Sequence, residues 1–185
     1  EITTRLVGSE MCIRDSIYCA TRKNVDTLYE KLLKQGVSVT RYHAGMSNDI
    51  RKKSQDDFIY DRAQVVIATN AFGMGIDKSN VRFVIHYNMP SSIEAYYQEA
   101  GRAGRDGLAS ECMLYWSDGD LSTCRFFLEQ DSGNESMSPE EAEVARAARR
   151  RMLAAMEGYC LTCECLRGYM LRYFGDESAV QQDNG

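Results

Sequence analysis

Val65-Val66-Ile67-Ala68-Thr69 decides the fold. It is a short, unbroken apolar run bounded by polar residues, the pattern of a strand buried on both faces. Working upstream, Ser47 is placed to cap a helix that carries Ile50, Phe58 and Ile59 inward, and Val37 to Tyr42 alternates as a strand. Before that strand comes a helix opened by Thr21 or Asn24. Val25, Leu28, Tyr29, Leu32 and Leu33 share its inner face, and Gly36 stops it. Ile17-Tyr18-Cys19-Ala20 is another buried strand. Downstream, Val81 to Tyr87 and Ser110 to Trp116 read as strands. Between them Pro90-Ser91-Ser92 starts a helix, with Glu94 set for a capping box with Ser91. Strands alternating with helices predict an α/β domain: a parallel sheet with helices on both faces.

Past Trp116 the pattern changes. Asp118 caps a helix through Glu129, residues 130–139 are a polar linker, and Pro139 to Met156 is strongly helical. Leu166, Tyr169, Met170, Tyr173 and Phe174 form a last helical stripe, ended by Gly175, and the tail is polar. Residues 1–16 show neither alternation nor helical periodicity. They are set aside as a non-native leader, the other reading being an edge that carries a strand. The expected division is 1–16 leader, 17–120 α/β domain and 121–185 helical subdomain, without internal repeats.

The 185 residues are 44% hydrophobic and 26% charged, ordinary for a globular protein. No apolar run reaches membrane-spanning length, and no secretory signal stands at the start. Seven scattered cysteines suggest a reducing, intracellular setting rather than a disulfide framework. Cys12, Cys19, Cys112 and Cys124 read as small buried hydrophobes or inert thiols. A net charge of −5 argues against coating nucleic acid by bulk charge and leaves room for a local basic groove.

Ligands of an open parallel sheet sit beyond the carboxyl ends of its strands. Three loops are candidates. His43-Ala44-Gly45-Met46-Ser47 offers backbone amides and a hydroxyl to a phosphate. Thr69-Asn70-Ala71-Phe72-Gly73-Met74-Gly75-Ile76-Asp77 combines glycines with a hydroxyl and a carboxylate suited to a ribose. Gln98-Glu99-Ala100-Gly101-Arg102-Ala103-Gly104-Arg105-Asp106-Gly107 sets two arginines three residues apart among glycines. At helical spacing both guanidiniums share a face, and the fork of donors suits polyphosphate. No G-x-x-x-x-G-K-[ST] occurs. Phosphate-gripping arginines without a phosphate cradle imply a partner domain that supplies the cradle.

Ile17–Arg22, Val66–Lys78 and Tyr97–Gly107 closely resemble the fourth, fifth and sixth motifs of the second RecA-like domain of RecQ-family DNA helicases. The resemblance runs from about Ile17 to Gly175. It implies a RecA-like sheet of P-loop-NTPase type, followed by a small helical part of a zinc-binding module, and ATP-driven 3′ to 5′ unwinding of DNA. ATP and Mg2+ would be held mainly by the first RecA-like domain, whose Walker motifs are not in this sequence. Arg105 would be the arginine finger on the γ-phosphate, assisted by Arg102, with Gln98 in the polar network of the cleft. Gly75, Gly101 and Gly104 would line the nucleotide, and Asp77 would touch its ribose. Arg22, His43, Gly45 and Thr69 would line the single-strand backbone. Cys160-x-x-Cys163 looks like half a zinc site, but by the family pattern Cys165 is the Zn2+ ligand of the full-length parent. The implied partners are single-stranded DNA, its duplex junction and the first RecA-like domain, with no membrane. The implied setting is the bacterial nucleoid rather than a nucleus. This chain alone is expected to be inactive. The competing readings are an RNA helicase or translocase motor domain and a non-catalytic nucleic-acid-binding module.

Overall fold

The computed structural model describes residues 14–70, 72, 78–130 and 138–176. The apolar runs become five strands: β1 (Arg14–Tyr18), β2 (Val39–Tyr42), β3 (Val65–Ala68), β4 (Val81–His86) and β5 (Glu111–Leu114). They form one sheet in the order β2-β3-β1-β4-β5, every pairing parallel. β3 lies second in that order with all four residues buried, which is why its sequence shows no alternation.

The crossover helices cover both faces. In α1 (Arg22–Lys34), the Thr21 side chain accepts from the Asn24 amide at 3.1 Å and caps the helix, and Gly36 leaves the chain at φ 79°. Val25, Leu28 and Leu32 pack on Ile17, Val65, Ile67 and Ile85. Leu33 is 52% exposed, off the inner face expected of it. On the opposite face Phe58 of α2 (Asn48–Ile59) packs with Tyr18, Val66, Val84 and Phe72. Ser47 caps α2 as expected. Ile50 does not turn inward: it is 53% exposed, because the buried face of α2 begins a turn later with Ser54 and Phe58. In α3 (Ile93–Ala100) the cap is Ser92, whose hydroxyl takes the Ala95 amide at 3.1 Å, and not Ser91.

The sheet starts earlier than the pattern predicts. Arg14, Asp15 and Ser16, set aside as leader, are buried in β1. The polar run conceals the strand because its partners are distant in sequence. Arg14 Nε donates to Asp61 Oδ1 at 2.7 Å, and the buried Lys78 joins the same oxygen at 2.7 Å. Those two cations, Lys78 first, hold the Asp61 carboxyl below its usual range.

Asp15 fits less well. It is 3% exposed, and its Oδ1 has no hydrogen-bond partner. Burial pushes its pKa from 3.8 up to about 7, against the Phe83 backbone and Arg14, which lower it. The folded state therefore holds a proton that the unfolded chain releases near pH 4. Stability falls as pH rises from about 4 to about 7 and levels off above. Asp15→Val is expected to raise Tm by more at pH 8 than at pH 4.5. Equal gains at both values, measured by thermal melts, would show that the buried carboxyl is not the cause.

The chain divides into two units. One comprises residues up to Met89 together with Tyr96–Ser117, the other Pro90–Ala95 and the residues from Asp118 onward. The second holds α4 (Asp118–Gln130), α5 (Pro139–Leu161) and α6 (Leu166–Tyr173). Ser138 and Glu141 form a reciprocal capping box on α5, which runs past the Met156 end expected for it. Arg150 pairs with Glu129 of α4 at 3.0 Å. Gly158 admits the Tyr169 ring, whose hydroxyl donates to the Ala155 carbonyl at 3.3 Å; a Cβ at 158 would lie 2.5 Å from the Tyr169 hydroxyl oxygen. Among the described residues no helix is long and apolar enough to cross a membrane.

Candidate functional site

The carboxyl ends of β1, β2 and β3 gather the first set of candidate residues. The Cys19 amide bonds the Ala68 carbonyl at 2.8 Å and the Thr69 amide the Tyr42 carbonyl at 3.2 Å, so the loops leaving these strands are held side by side. Arg22 opens α1 and is exposed. Asn88, after β4, fixes that helix start: its Oδ1 accepts from the Ala20 amide at 3.2 Å and from Asn24 Nδ2 at 2.9 Å.

Gly45 lies directly against Arg22. A Cβ there would stand 3.2 Å from Arg22 Cδ and 3.3 Å from its Nη1. The Gly45 amide donates to His43 Nδ1 at 3.2 Å, and the Met46 amide to the His43 carbonyl at 3.1 Å. These two amides, expected to receive a phosphate, are occupied within the loop, and the Ser47 hydroxyl caps α2. His43 is buried, with Nε2 3.1 Å from Asp26 Oδ1. It holds the loop with both ring nitrogens. Thr69 is buried at the end of β3. Gly75 and Asp77 lie outside the described residues.

The arginine stretch departs from its expected geometry. α3 carries Gln98, exposed on its last turn, and ends at Ala100; residues 101–107 form a string of turns rather than a helix. Arg102 and Arg105 therefore do not stand on one helical face. Nor does the second half of the stretch lie beyond the carboxyl ends. The Gly104 amide bonds the carbonyl of Val81, the first residue of β4, at 2.9 Å, and the Asp106 amide bonds the Ser79 carbonyl at 3.2 Å. Asp106 is also paired with Arg82, which with the Leu108 amide holds its carboxyl below the usual range. Gly104 has φ 60°. A Cβ at Gly101 would meet the Tyr97 carbonyl oxygen at 2.9 Å. Arg105 is exposed, its Nε donating to the Gly101 carbonyl at 3.3 Å, and Arg102 is half-buried.

Behind the turn lies a buried polar column. His86 is 1% exposed, with Nε2 2.8 Å from Glu99 Oε2. Its ring stacks on Tyr18 at 5.3 Å and tilts against Tyr96 at 4.8 Å. Burial pushes the Tyr18 hydroxyl pKa up, while the Arg102 and Arg105 guanidiniums pull it down. His86, Glu99, Asp26 and Asn88 went unnoticed in the sequence. The one local signal was Asp26, a helical turn after Arg22; the other pairings span 13 to 68 residues.

Cys165 stands exposed at the N-cap of α6. Cys160 is half-buried, and its pKa is pushed up to about 11 by burial and then by Asp120 and Glu157. Among the described residues no three His, Cys, Asp or Glu side chains converge on a metal position, so they do not make a complete zinc site.

Two families match. Residues 5–107 match the helicase conserved C-terminal domain, and residues 118–183 match the RecQ zinc-binding family. An ATP-dependent DNA helicase RecQ of Bacillus subtilis (strain 168) is 47% identical over 161 residues, covering 87% of this chain and 26% of that protein. The RecQ helicase of Haemophilus influenzae is 41% identical over 184 residues, covering 100% of this chain and 28% of that protein. The chain thus spans about a quarter of the length of these relatives. Among solved structures, the E. coli DEAD-box protein SrmB, bound to the regulator RraA, superposes with a TM-score of 0.56 at 24% identity. That match covers 65% of this chain and 71% of SrmB, and at this identity it speaks for the fold alone.

Proposed function

Because the chain belongs to the helicase conserved C-terminal domain family, in its RecQ form, we propose that it is the second motor domain of an ATP-dependent 3′ to 5′ DNA helicase. The observation that carries this is the turn at 101–107, which presents an exposed Arg105 beside a half-buried Arg102 in a chain with no phosphate cradle.

ATP is the substrate, held with Mg2+ mainly by a Walker-bearing domain of the parent. Arg105 meets the charge that develops on the γ-phosphate. Arg102 backs it, and Gln98 joins the same network from the end of α3. Gly101 and Gly104 keep the turn narrow where it faces the nucleotide, and Gly75 and Asp77 serve the ribose side. Arg22, with Gly45 beneath its side chain, and Thr69 follow the phosphates of the single strand, while His43 shapes the loop. Cys165 supplies one thiolate to zinc in the parent.

ATP turnover by the parent is the test, with single-stranded DNA, single-stranded RNA or neither. DNA is expected to stimulate it strongly and RNA weakly, while the 185-residue chain alone turns over no ATP and binds oligothymidylate weakly and salt-sensitively. Preferential stimulation by RNA would select the RNA motor. No stimulation by either would select a non-catalytic binding module.

A further inference from the structure

We propose that Asp26 is a positioning residue for the nucleic-acid path: it sets the tautomer of His43, and through it the seat of Arg22. This rests on the reading of Arg22 and Gly45 as part of that path. The Gly45 amide is a donor and points at His43 Nδ1 at 3.2 Å, so Nδ1 carries no proton. The proton of the neutral ring is then on Nε2, and it is donated to Asp26 Oδ1 at 3.1 Å. The same oxygen accepts from Arg41 Nη1 at 2.7 Å, and Arg41 lies 4.7 Å above the Tyr29 ring, so the carboxylate itself is held in place.

The chain of contacts closes on one helix. Asp26 sits one turn after Arg22 on α1. From there it fixes His43, His43 fixes the Gly45 backbone, and Gly45 packs against the stem and guanidinium of Arg22. If the ring took the opposite tautomer, an N–H would face the Gly45 N–H. The loop would move, and Arg22 would lose the surface it rests on. A carboxylate facing Nε2 favours the observed tautomer, since it can only accept.

The 185-residue chain has two histidines, His43 and His86, so ring nitrogen resonances in a 15N-labelled sample are resolvable, and His43→Gln assigns them. The wild type is expected to show His43 as the Nε2–H form. Asp26→Ala, and Asp26→Asn as the gentler change, should shift it toward the Nδ1–H form. Both should weaken binding of fluorescein-labelled oligothymidylate at low salt roughly three- to tenfold, the scale of one lost contact. Asp26→Glu should restore both readouts. Arg22→Ala should weaken binding while leaving the tautomer unchanged. A wild-type ring protonated on Nδ1 overturns the proposal. So does an unchanged affinity in both Asp26→Ala and Asp26→Asn where Arg22→Ala loses it, in which case the nucleic-acid reading stands. If Arg22→Ala also binds normally, that underlying reading fails and the proposal falls with it.

Discussion

Arg105→Ala in the full-length parent is expected to abolish unwinding and to lower DNA-stimulated ATP turnover by roughly 10³–10⁵-fold, or about 4–7 kcal/mol of barrier. An arginine that meets charge only as the γ-phosphate leaves contributes in the transition state and little in the ground state. Arg105 is exposed, and its Nε is moored on the Gly101 carbonyl. Mooring limits the freedom the side chain must lose when it reaches phosphate. Arg105→Lys is expected to recover little, because an ammonium lacks the planar fork. An ordinary surface arginine would behave differently, since its removal changes stability by no more than about 0.5 kcal/mol and chemistry not at all. The ATPase assay separates the two cases.

Gly104→Ala is expected to be nearly as damaging, through the backbone. Gly104 has φ 60°, where a side chain costs about 1–2 kcal/mol. Its Cβ would also lie 2.6 Å from Ser110 Oγ and 2.7 Å from the Leu108 carbonyl oxygen. The hydroxyl can rotate away, but the carbonyl can yield only if the 104–108 turn moves. That turn is tied to the sheet by the Gly104 and Asp106 amides on Val81 and Ser79, so a shift displaces Arg105. The expected result in the parent is at least a hundredfold loss of turnover together with a lower Tm. Normal turnover with normal stability would mean that the close approach is not needed. Gly107→Ala is the instructive comparison: φ is 81° there, but nothing lies within 4 Å of a Cβ, so strain acts without a clash and the loss should be smaller.

The sheet was legible wherever a strand is buried on both faces, as Val65–Ala68 is, and wherever a helix cap is local, as Thr21 and Ser47 are. It was illegible at Arg14–Ser16, because what buries Arg14 is an ion pair 47 residues away. The arginine motif was legible as chemistry and not as geometry. An i, i+3 spacing suggested a helix, but three glycines in seven residues favour turns, and the amides of Gly104 and Asp106 go to the sheet instead of a helical ladder. Likewise the His43 loop was read as a set of free amides. Its Gly45 and Met46 amides turn out to be spent on His43, a partner two or three residues away whose orientation depends on Asp26.

On this reading the chain completes a nucleotide site whose phosphate cradle lies in another domain. Measuring ATP-analogue affinity and kcat separately tests it most directly, in the parent and its Arg105→Ala variant at saturating single-stranded DNA. The kcat is expected to collapse while the affinity for a non-hydrolysable ATP analogue changes by no more than a few-fold. A near-normal kcat, or an affinity that falls in step with kcat, would contradict it.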